Sequence, residues 1–448
     1  MSFFTQDMSG CLAEVIGSNG LSVHELTIMD KEAAAALSRL RPAVRSGTLP
    51  FARFDEDTEA LATTVEETYE RLAADARTIM FFGCGAAGKV AQTIAQFGGW
   101  SIPGVMSGTQ RRRPVTRFYN SADPVTLAGA LSRSDLDKTR FVFVSKDGDV
   151  STVAQLLAAL EAVRQSGHGD NIASSFHVVT ESAQSGKTNG LLELSKHLGI
   201  PRLPFPADID ERFAALTAAG LLPAVARGLD VRKILDGAKS VIDDLTDETS
   251  TDAPALVRSA AMAVGLGRYR DCHREVIVPL DDRLTELAGY WGQLLHVRGV
   301  DVGTADSIIA SRGVQDLAVH LEAANVGSTS SYVTVLQSTA EEAGPRLEPE
   351  LAAIAGLDSL ADRTLRDLNR AQQQALKTML VGLGQPLRTI SIPELNESAL
   401  GALLMHMMLE AVLVADLMGR KIRQAAATER LDTEILAALQ AVNDTPGC

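Results

Sequence analysis

The apolar residues of this chain follow two spacings, one typical of helices and one typical of buried strands. Between residues 57 and 73 they recur every three or four positions, which predicts an amphipathic helix. The next segment, Thr78–Phe82, is a continuous apolar run, and Gly83, Cys84 and Gly85 end it. Runs without alternation are typical of strands that a parallel sheet buries on both faces.

The same order of strand, loop and helix recurs along the chain. Strands are predicted at 78–82, 140–144, 176–180, 275–279, 316–321, 332–336 and 387–392, and helices at 57–73, 150–163, 254–266, 282–298, 358–382 and 398–418. This alternation predicts an α/β fold with two doubly wound parallel-sheet lobes, at 76–245 and 252–420. A helical N-terminal segment (1–75) and a C-terminal helix and tail (421–448) flank the lobes, and the polar stretch 246–251 is the predicted hinge.

Charge and composition exclude several classes of protein. The chain has 448 residues and a formal net charge of −14, so we expect no nucleic-acid partner. The most apolar window, 403–418, is too short to span a bilayer and contains ionisable residues, which predicts a buried helix and no membrane partner. The four cysteines are far apart and the N-terminus does not resemble a signal peptide, so we expect a cytoplasmic protein without a metal site.

The glycine-rich turn Gly83–Gly88 follows the first predicted strand and matches the G-x-G-x-x-G spacing of dinucleotide-binding folds. Those folds also place an acidic residue about 20 positions later to bind the ribose. No Asp or Glu stands between Lys89 and Ser121. A dehydrogenase that uses a nicotinamide cofactor is therefore the weaker interpretation, and a tight turn that lets the backbone approach a ligand or a helix is the stronger one.

The loop 145–152 follows the second predicted strand and precedes a helix. Hydroxyl groups and backbone N–H groups at a helix N-terminus favour an anion. Asp147 and Asp149 act against an anion, because two carboxylates repel phosphate. A capped helix start without any ligand therefore stays an open alternative.

One segment carries a family resemblance. Asp208–Ala224 resembles the signature of the phosphoglucose isomerase family, a Gly-Gly-Arg-Phe-Ser stretch followed by a Thr-Ala-x-Gly-Leu-Leu-Pro helix. Further stretches are similar to the same family, namely 83–85 to its first glycine loop, 145–148 to its phosphate loop, 228–238 to the chain after its signature helix, and 290–295 to the approach to its Glu-Ser-x-Gly-Lys motif. Residues 387–417 resemble the C-terminal part of family members that are fused to transaldolase.

The resemblance implies two sugar-isomerase lobes, a homodimer, and a sugar phosphate as the small-molecule partner. It implies interconversion of glucose 6-phosphate and fructose 6-phosphate, or of a related sugar derivative, without a metal or an organic cofactor. A base moves a proton between C2 and C1 through a cis-enediolate, and an arginine, matched here by Arg212, stabilises the oxyanion. The residues that the resemblance assigns to substrate binding are Gly83, Gly85, Ser145, Lys146, Ser151, Thr152 and Gln293.

Several residues of the family are replaced in this chain. When the two are aligned on Gln293, the catalytic Glu falls on Val297. The central Thr of the phosphate loop falls on Val150, and the C-terminal Lys falls near Leu431. His296 is the predicted replacement base, because a histidine titrates near neutral pH. Its alternative interpretation is a capped or solvent-facing helix residue.

Two further groups have both a functional and a structural interpretation. His406 and Glu410 stand one helical turn apart and form either an acid–base pair or a mutually satisfied buried pair. Arg212 follows two carboxylates and is either the oxyanion-stabilising residue or an ion-paired helix start. We therefore expect either an isomerase with a relocated base or a catalytically inactive homologue that binds sugar phosphates or has a structural role.

Overall fold

The computed structural model describes residues 3–98, 113–133, 135–182, 188–247, 255–295, 331–340, 344–420 and 426–443. The strands in these residues are β1 (Thr5–Asp7), β2 (Thr78–Phe82), β3 (Val115–Tyr119), β4 (Thr139–Val144), β5 (Phe176–Thr180), β6 (Arg202–Pro204), β7 (Arg274–Pro279), β8 (Ser331–Ser338) and β9 (Leu387–Ile392).

Helices connect and cover these strands. The α-helices of the described residues are α1 (Ala13–Ile16), α2 (Val23–Arg45), α3 (Glu56–Ala73), α4 (Gly85–Phe97), α5 (Pro124–Arg133), α6 (Val150–Gln165), α7 (Ile172–Ser175), α8 (Gly190–Leu198), α9 (Ala218–Arg227), α10 (Val231–Thr246), α11 (Ala255–Arg270), α12 (Thr285–Leu295), α13 (Pro349–Ile354), α14 (Leu365–Gly382), α15 (Glu397–Leu417) and α16 (Ala426–Asn443). A 3₁₀ helix, Glu211–Leu216, precedes α9.

The chain divides into two compact units. Met1–Arg45 and Gly237–Lys421 form one, which we call the β7–β9 unit, and Ser46–Asp236 and Ile422–Cys448 form the other, which we call the β2–β6 unit. The division differs from the predicted boundaries at both ends of the chain. Helix α2 packs on α11 and α15, whereas α3 packs on α9, so the predicted N-terminal segment belongs to two units. Helix α16 packs on α6 and belongs to the β2–β6 unit.

The β2–β6 unit contains a five-stranded sheet in the order β3-β2-β4-β5-β6, with every neighbouring pair parallel. Aromatic residues make up only 4% of the chain, yet several of them stack in this core. The ring of Phe82 lies 4.6 Å from that of Phe143, and Phe141 lies 4.7 Å from Phe176. Stacked rings bury a large apolar area in a fixed geometry. The predicted parallel α/β fold is confirmed.

The strand order of this sheet reverses at β2. In chain order the five strands run 2-1-3-4-5, so the chain winds one way from β2 to β3 and the other way from β4 onward. Doubly wound sheets bind ligands at such a reversal, beyond the carboxyl ends of the strands. Residues 83–88 follow β2 and residues 145–149 follow β4, so both loops lie at the reversal. The order also differs from the 3-2-1-4-5-6 order of the dinucleotide fold.

The β7–β9 unit contains a four-stranded sheet in the order β1-β9-β8-β7. Strands β7, β8 and β9 are parallel, as predicted, and β1 adds an antiparallel edge strand beside β9. The predicted strand at 316–321 lies outside the described residues. Among the described strands of this unit, the parallel strands β7, β8 and β9 follow the chain order without a reversal.

Helix α15 is the central helix of the β7–β9 unit. It is the one helix in the described part of the chain that is long and apolar enough to cross a membrane, but 94% of its apolar window is buried inside the protein. It packs on α2, α11 and α12. The sequence-based prediction of a buried helix at this position is confirmed.

The turn after β2 depends on a close backbone contact. A Cβ atom on Gly88 would lie 1.9 Å from the carbonyl oxygen of Gly83, and a backbone atom cannot move away as a flexible side chain can. We expect Gly88→Ala to lower the free energy of unfolding by about 3 kcal/mol. Gly129→Ala in α5 is the matched control, because its Cβ would contact nothing within 4 Å and should add about 0.5–1 kcal/mol of helix stability. Urea denaturation measures the unfolding free energy of both variants. Equal changes in Gly88→Ala and Gly129→Ala would contradict the close contact at Gly88.

Candidate functional site

A hydrogen bond joins the turn after β2 to the start of α6. The backbone N–H of Cys84 donates to Oγ1 of Thr152 at 3.2 Å, so the turn after β2 is tied to the first turn of α6. Gly85 has a φ of 72°, in the region that favours glycine. Burial raises the pKa of the Cys84 thiol to about 11, and the charge of Asp149 adds to this shift. Cys84 is therefore a structural thiol and not a nucleophile.

Ser145 and Lys146 begin the loop after β4, and both side chains are used within the protein. Oγ of Ser145 accepts hydrogen bonds from the N–H groups of Gly148 and Asp149, each at 3.1 Å. The Lys146 residue is only 6% exposed, and its ammonium donates to the carbonyl oxygens of Ala207 and Ile209, at 2.8 and 2.9 Å. This lysine therefore fixes the segment that leads to Arg212.

Glu211 connects that segment to the same loop. Its Oε1 accepts the backbone N–H of Lys146 at 2.8 Å. Within the described residues its second oxygen, Oε2, has no hydrogen-bond partner, and the residue is partly exposed. A carboxylate with one anchored oxygen and one available oxygen has the geometry of a general base.

Arg212 is held by the residue two positions before it. Its Nε donates to Oδ1 of Asp210 at 2.8 Å, and its Nη2 donates to Oδ2 at 2.9 Å. Asp210 also caps the 3₁₀ helix by accepting the Arg212 backbone N–H. Burial opposes the ionisation of Asp210, but the hydrogen bonds and charge of Arg212 outweigh it and keep the pKa of Asp210 below its ordinary value. The guanidinium is thus fixed, with 15% of its side chain exposed.

Two more carboxylates accept N–H groups at the start of α6. Oδ1 of Asp149 accepts the N–H of Thr152 at 2.9 Å as the helix cap. Oδ2 of Asp432, on α16, accepts the N–H of Val150 at 3.4 Å. Asp147 is exposed on the same loop. Negative charge is therefore concentrated at this helix N-terminus, where the helix dipole favours it.

This charge changes the acidity of Glu211. Burial raises the pKa of Glu211 from 4.5 to about 7, and the charges of Asp149, Asp147 and Asp210 add to the rise. The N–H of Lys146 acts in the opposite direction without cancelling it. Burial, with the charges of Asp149 and Asp147, also raises the pKa of Asp432. A carboxyl group that titrates near neutral pH can both take and return a proton.

The structure places most of the sequence-predicted site residues along one edge of the β2–β6 unit. Those residues are Gly83, Gly85, Ser145, Lys146, Ser151, Thr152 and Arg212. Gln293 belongs to α12 of the other unit, where its Oε1 is buried and has no hydrogen-bond partner among the described residues. His296 and Val297 lie outside the described residues. In the sequence, Glu211 is one of the two carboxylates before Arg212, and no local pattern distinguishes it from an ion-pairing neighbour.

His406 and Glu410 form part of a buried ion-pair network in the β7–β9 unit. Arg388 donates from Nη1 and Nη2 to the two oxygens of Glu410, at 2.9 and 2.7 Å. Nε2 of His406 lies 3.3 Å from Glu410 and 3.1 Å from the amide nitrogen of Gln6. Burial lowers the pKa of His406 despite the neighbouring Glu410. The structural interpretation of this pair therefore agrees with the observed contacts.

The network continues across one face of the sheet. Glu275 on β7 accepts from the hydroxyl groups of Tyr332 and Thr334, each at 2.6 Å. Thr334 pairs in register with Arg388 on β9, whose Nε donates to Gln6 on β1 at 2.8 Å. Buried charges are tolerated when they are paired and hydrogen-bonded in this way.

Comparisons with known proteins agree with this architecture. The model of the phosphoglucose isomerase family matches residues 88–330, more than half of the chain. A protein of Rubrobacter xylanophilus named glucose-6-phosphate isomerase is 26% identical over 85% of this chain and 87% of its own length. A protein of the same name from Carboxydothermus hydrogenoformans is also 26% identical, over 66% of this chain, and the match spans 65% of that protein.

Two solved structures have a similar fold. A hypothetical protein of Thermus thermophilus is similar with a TM-score of 0.72 and 17% identity, over 97% of this chain and 100% of that one. A glucose-6-phosphate isomerase of Chlamydia trachomatis gives a TM-score of 0.70 and 16% identity, over 98% of this chain and 93% of that one.

The two compact units and their parallel strands define an α/β protein, and the two solved structures share this fold. More particularly, the chain belongs to the phosphoglucose isomerase family. The resemblance of residues 387–417 to transaldolase-fused members stays a prediction.

The raised pKa of Glu211 makes the stability of the protein depend on pH. Between pH 4.5 and about 7 the folded chain holds a proton that the unfolded chain has released, so the free energy of unfolding falls as the pH rises through this interval. Glu211→Gln should flatten this fall by on the order of 1 kcal/mol per pH unit. Urea denaturation at several pH values measures this slope of unfolding free energy against pH. Glu193→Gln, which removes an exposed carboxylate of α8, should keep the wild-type dependence, and an unchanged slope in Glu211→Gln would contradict the shift.

The buried network makes a second stability prediction. Glu410→Gln removes the partner of a buried guanidinium and should cost about 3–5 kcal/mol of unfolding free energy. The control lies on the same helix, where Asp416 pairs with Arg39 in an exposed ion pair. Asp416→Asn should cost only about 0–1 kcal/mol. Urea denaturation of the two variants measures both losses of unfolding free energy. A loss for Glu410→Gln as small as that for Asp416→Asn would show that the network contributes little to stability.

Proposed function

We propose that this protein is an aldose–ketose isomerase that acts on a sugar derivative through a cis-enediolate. One observation carries the proposal. Arg212, whose guanidinium Asp210 fixes, follows Glu211 in the chain, and the Glu211 carboxyl, of near-neutral pKa, is bonded to the loop after β4, at the strand reversal where a doubly wound sheet binds its ligand. Membership of the phosphoglucose isomerase family supports the reaction class, and relatives named glucose-6-phosphate isomerase make glucose 6-phosphate and fructose 6-phosphate the first sugars to test.

In this proposal Arg212 stabilises the charge that develops on the substrate oxygen. Asp210 fixes the guanidinium through two hydrogen bonds before any substrate binds. A preorganised cation needs no rearrangement when the oxyanion forms, and such groups commonly make the largest contribution to catalysis. An arginine that only pairs with Asp210 at a helix start would make the same two bonds. Activity measurements therefore distinguish that structural role from stabilisation of the oxyanion.

Glu211 is the base of the proposed reaction. Its carboxylate takes the proton from C2 of the aldose, which leaves an enediolate. The hydroxyl proton moves from O2 to O1, and Glu211 returns a proton to C1, so that C2 becomes the carbonyl carbon of the ketose. A pKa of about 7 suits both half-reactions at neutral pH, since the carboxylate form accepts and the acid form donates. His296 stays a prediction for the same role.

A catalytically inactive homologue is the second candidate. The observation that favours it is the internal use of the loop after β4. The Lys146 ammonium donates to two backbone carbonyls, and the N–H groups of Lys146 and Val150 donate to carboxylates of the protein itself.

Proton exchange in deuterated water distinguishes the two candidates. We expect the wild-type protein to exchange the C1 and C2 protons of at least one aldose–ketose pair, tested with glucose, fructose and their 6-phosphates by proton NMR. Arg212→Ala should lower kcat by about 10²–10³-fold and Glu211→Gln by about 10²–10⁴-fold. Arg232→Ala removes an exposed ion pair with Glu66 and should retain wild-type activity. Exchange that survives both site variants would contradict these roles, and no exchange with any of the sugars would favour the inactive homologue.

A further inference from the structure

The start of α6 and the loop before it offer few backbone donors to a ligand, because the protein uses them itself. The N–H groups and their acceptors are Ser145 with the carbonyl of Val179, Lys146 with Glu211, Gly148 and Asp149 with the Ser145 hydroxyl, Val150 with Asp432, and Thr152 with Asp149. A helix N-terminus binds a phosphate group through such N–H groups. At this helix the N–H groups of Val150 and Thr152 are engaged before a ligand arrives, whereas that of Ser151 is not among the engaged groups.

Several of the acceptors that engage them are carboxylates. Glu211, Asp149 and Asp432 each accept one N–H group, and Asp147 stands exposed on the same loop. A phosphate group carries between one and two negative charges at neutral pH, so it would approach a region that is already anionic. Lys146 is the cation of this loop, but its ammonium is buried against two carbonyl oxygens. It therefore does not compensate the negative charge of the carboxylates.

A sugar hydroxyl meets a different situation at this loop. Hydroxyl groups donate as well as accept, so they can bind to carboxylate oxygens that are already present. A phosphate dianion has only acceptor oxygens, so it would compete with the carboxylates for the N–H groups of Lys146, Val150 and Thr152. The loop is therefore chemically complementary to a hydroxylated group and not to a phosphate.

We infer that the carboxylates of Glu211 and Asp432 occupy the anion position of this loop, and that the substrate is a sugar derivative without a phosphate group there. This inference rests on the proposed isomerase function for the nature of the substrate. The exclusion of phosphate rests only on the observed hydrogen bonds, so it can be tested separately. Asp432 also gives the C-terminal helix α16 a role, since it supplies one of the two occupying carboxylates from far along the chain.

Phosphate binding tests the occupation of the loop directly. Isothermal titration of the full-length protein with inorganic phosphate should show no saturable binding at millimolar concentrations. The double variant Glu211→Ala with Asp432→Ala frees the N–H groups of Lys146 and Val150 and should gain at least tenfold in phosphate affinity. Asp147→Ala is the matched control, because it removes a carboxylate of the same loop for which no bond to these N–H groups is observed, and it should gain much less.

Variants that keep the shape of the site separate charge from occupation. In the double variant Glu211→Gln with Asp432→Asn, each new side chain retains an amide oxygen that can accept the N–H group of Lys146 or of Val150. This variant should therefore gain less phosphate affinity than the alanine pair. Circular dichroism checks that each variant is folded, and Asp432→Ala alone serves if the double variant is not. Saturable binding of phosphate to the wild-type protein, with an affinity that the alanine pair leaves unchanged, would overturn the inference.

The substrate preference completes the test. In the exchange assay the wild-type protein should act on an unphosphorylated sugar at least tenfold more efficiently than on its 6-phosphate. A preference for the 6-phosphate, with inorganic phosphate as a competitive inhibitor, would overturn the inference while the isomerase function stands. Exchange with neither class would overturn the isomerase function, and the phosphate titration would then decide the occupation of the loop by itself.

Discussion

The hydrogen bond from the Lys146 backbone to Glu211 is the contact on which the candidate site depends. It joins the carboxyl end of β4 to the 3₁₀ helix that carries Arg212, across 65 residues of sequence. The buried Lys146 ammonium strengthens the same connection through the carbonyl groups of Ala207 and Ile209. Together these bonds determine where Glu211 and Arg212 lie relative to the strand reversal. These bonds also engage the backbone N–H and the ammonium of Lys146, which a ligand could otherwise bind.

Two glutamates, Glu410 and Glu211, show how surroundings separate a reactive carboxyl group from a structural one. Glu410 is fully buried, but both of its oxygens accept from the Arg388 guanidinium, so its charge is compensated. Glu211 has one backbone N–H as its partner, which lowers its pKa, but burial and the charges of the nearby carboxylates outweigh that bond and raise it. The first arrangement holds α15 against the sheet of the β7–β9 unit. The second leaves a group that can exchange a proton near neutral pH.

Much of the fold could be predicted from the sequence because buried parallel strands leave a continuous apolar pattern. Strands β2, β4 and β5 were found in this way, whereas β1 and β6 have three residues each and offer no pattern to detect. The unit boundaries were not predictable from local composition, since α2 and α3 are both amphipathic and only tertiary packing assigns them to different units. Arg212 was identified by its family signature. The role of Glu211 depends on a contact with Lys146 that no local sequence pattern records.

The near-neutral pKa of Glu211 is the property on which the proposed chemistry depends most. Carbon-13 NMR of the protein labelled at the glutamate side-chain carboxyl carbon measures this titration directly, with the Glu211→Gln spectrum to assign the resonance. We predict a carboxyl resonance that titrates near pH 7 and is missing from the variant. A Glu211 resonance that titrates near 4.5, the ordinary value for a glutamate, would contradict the proposed role.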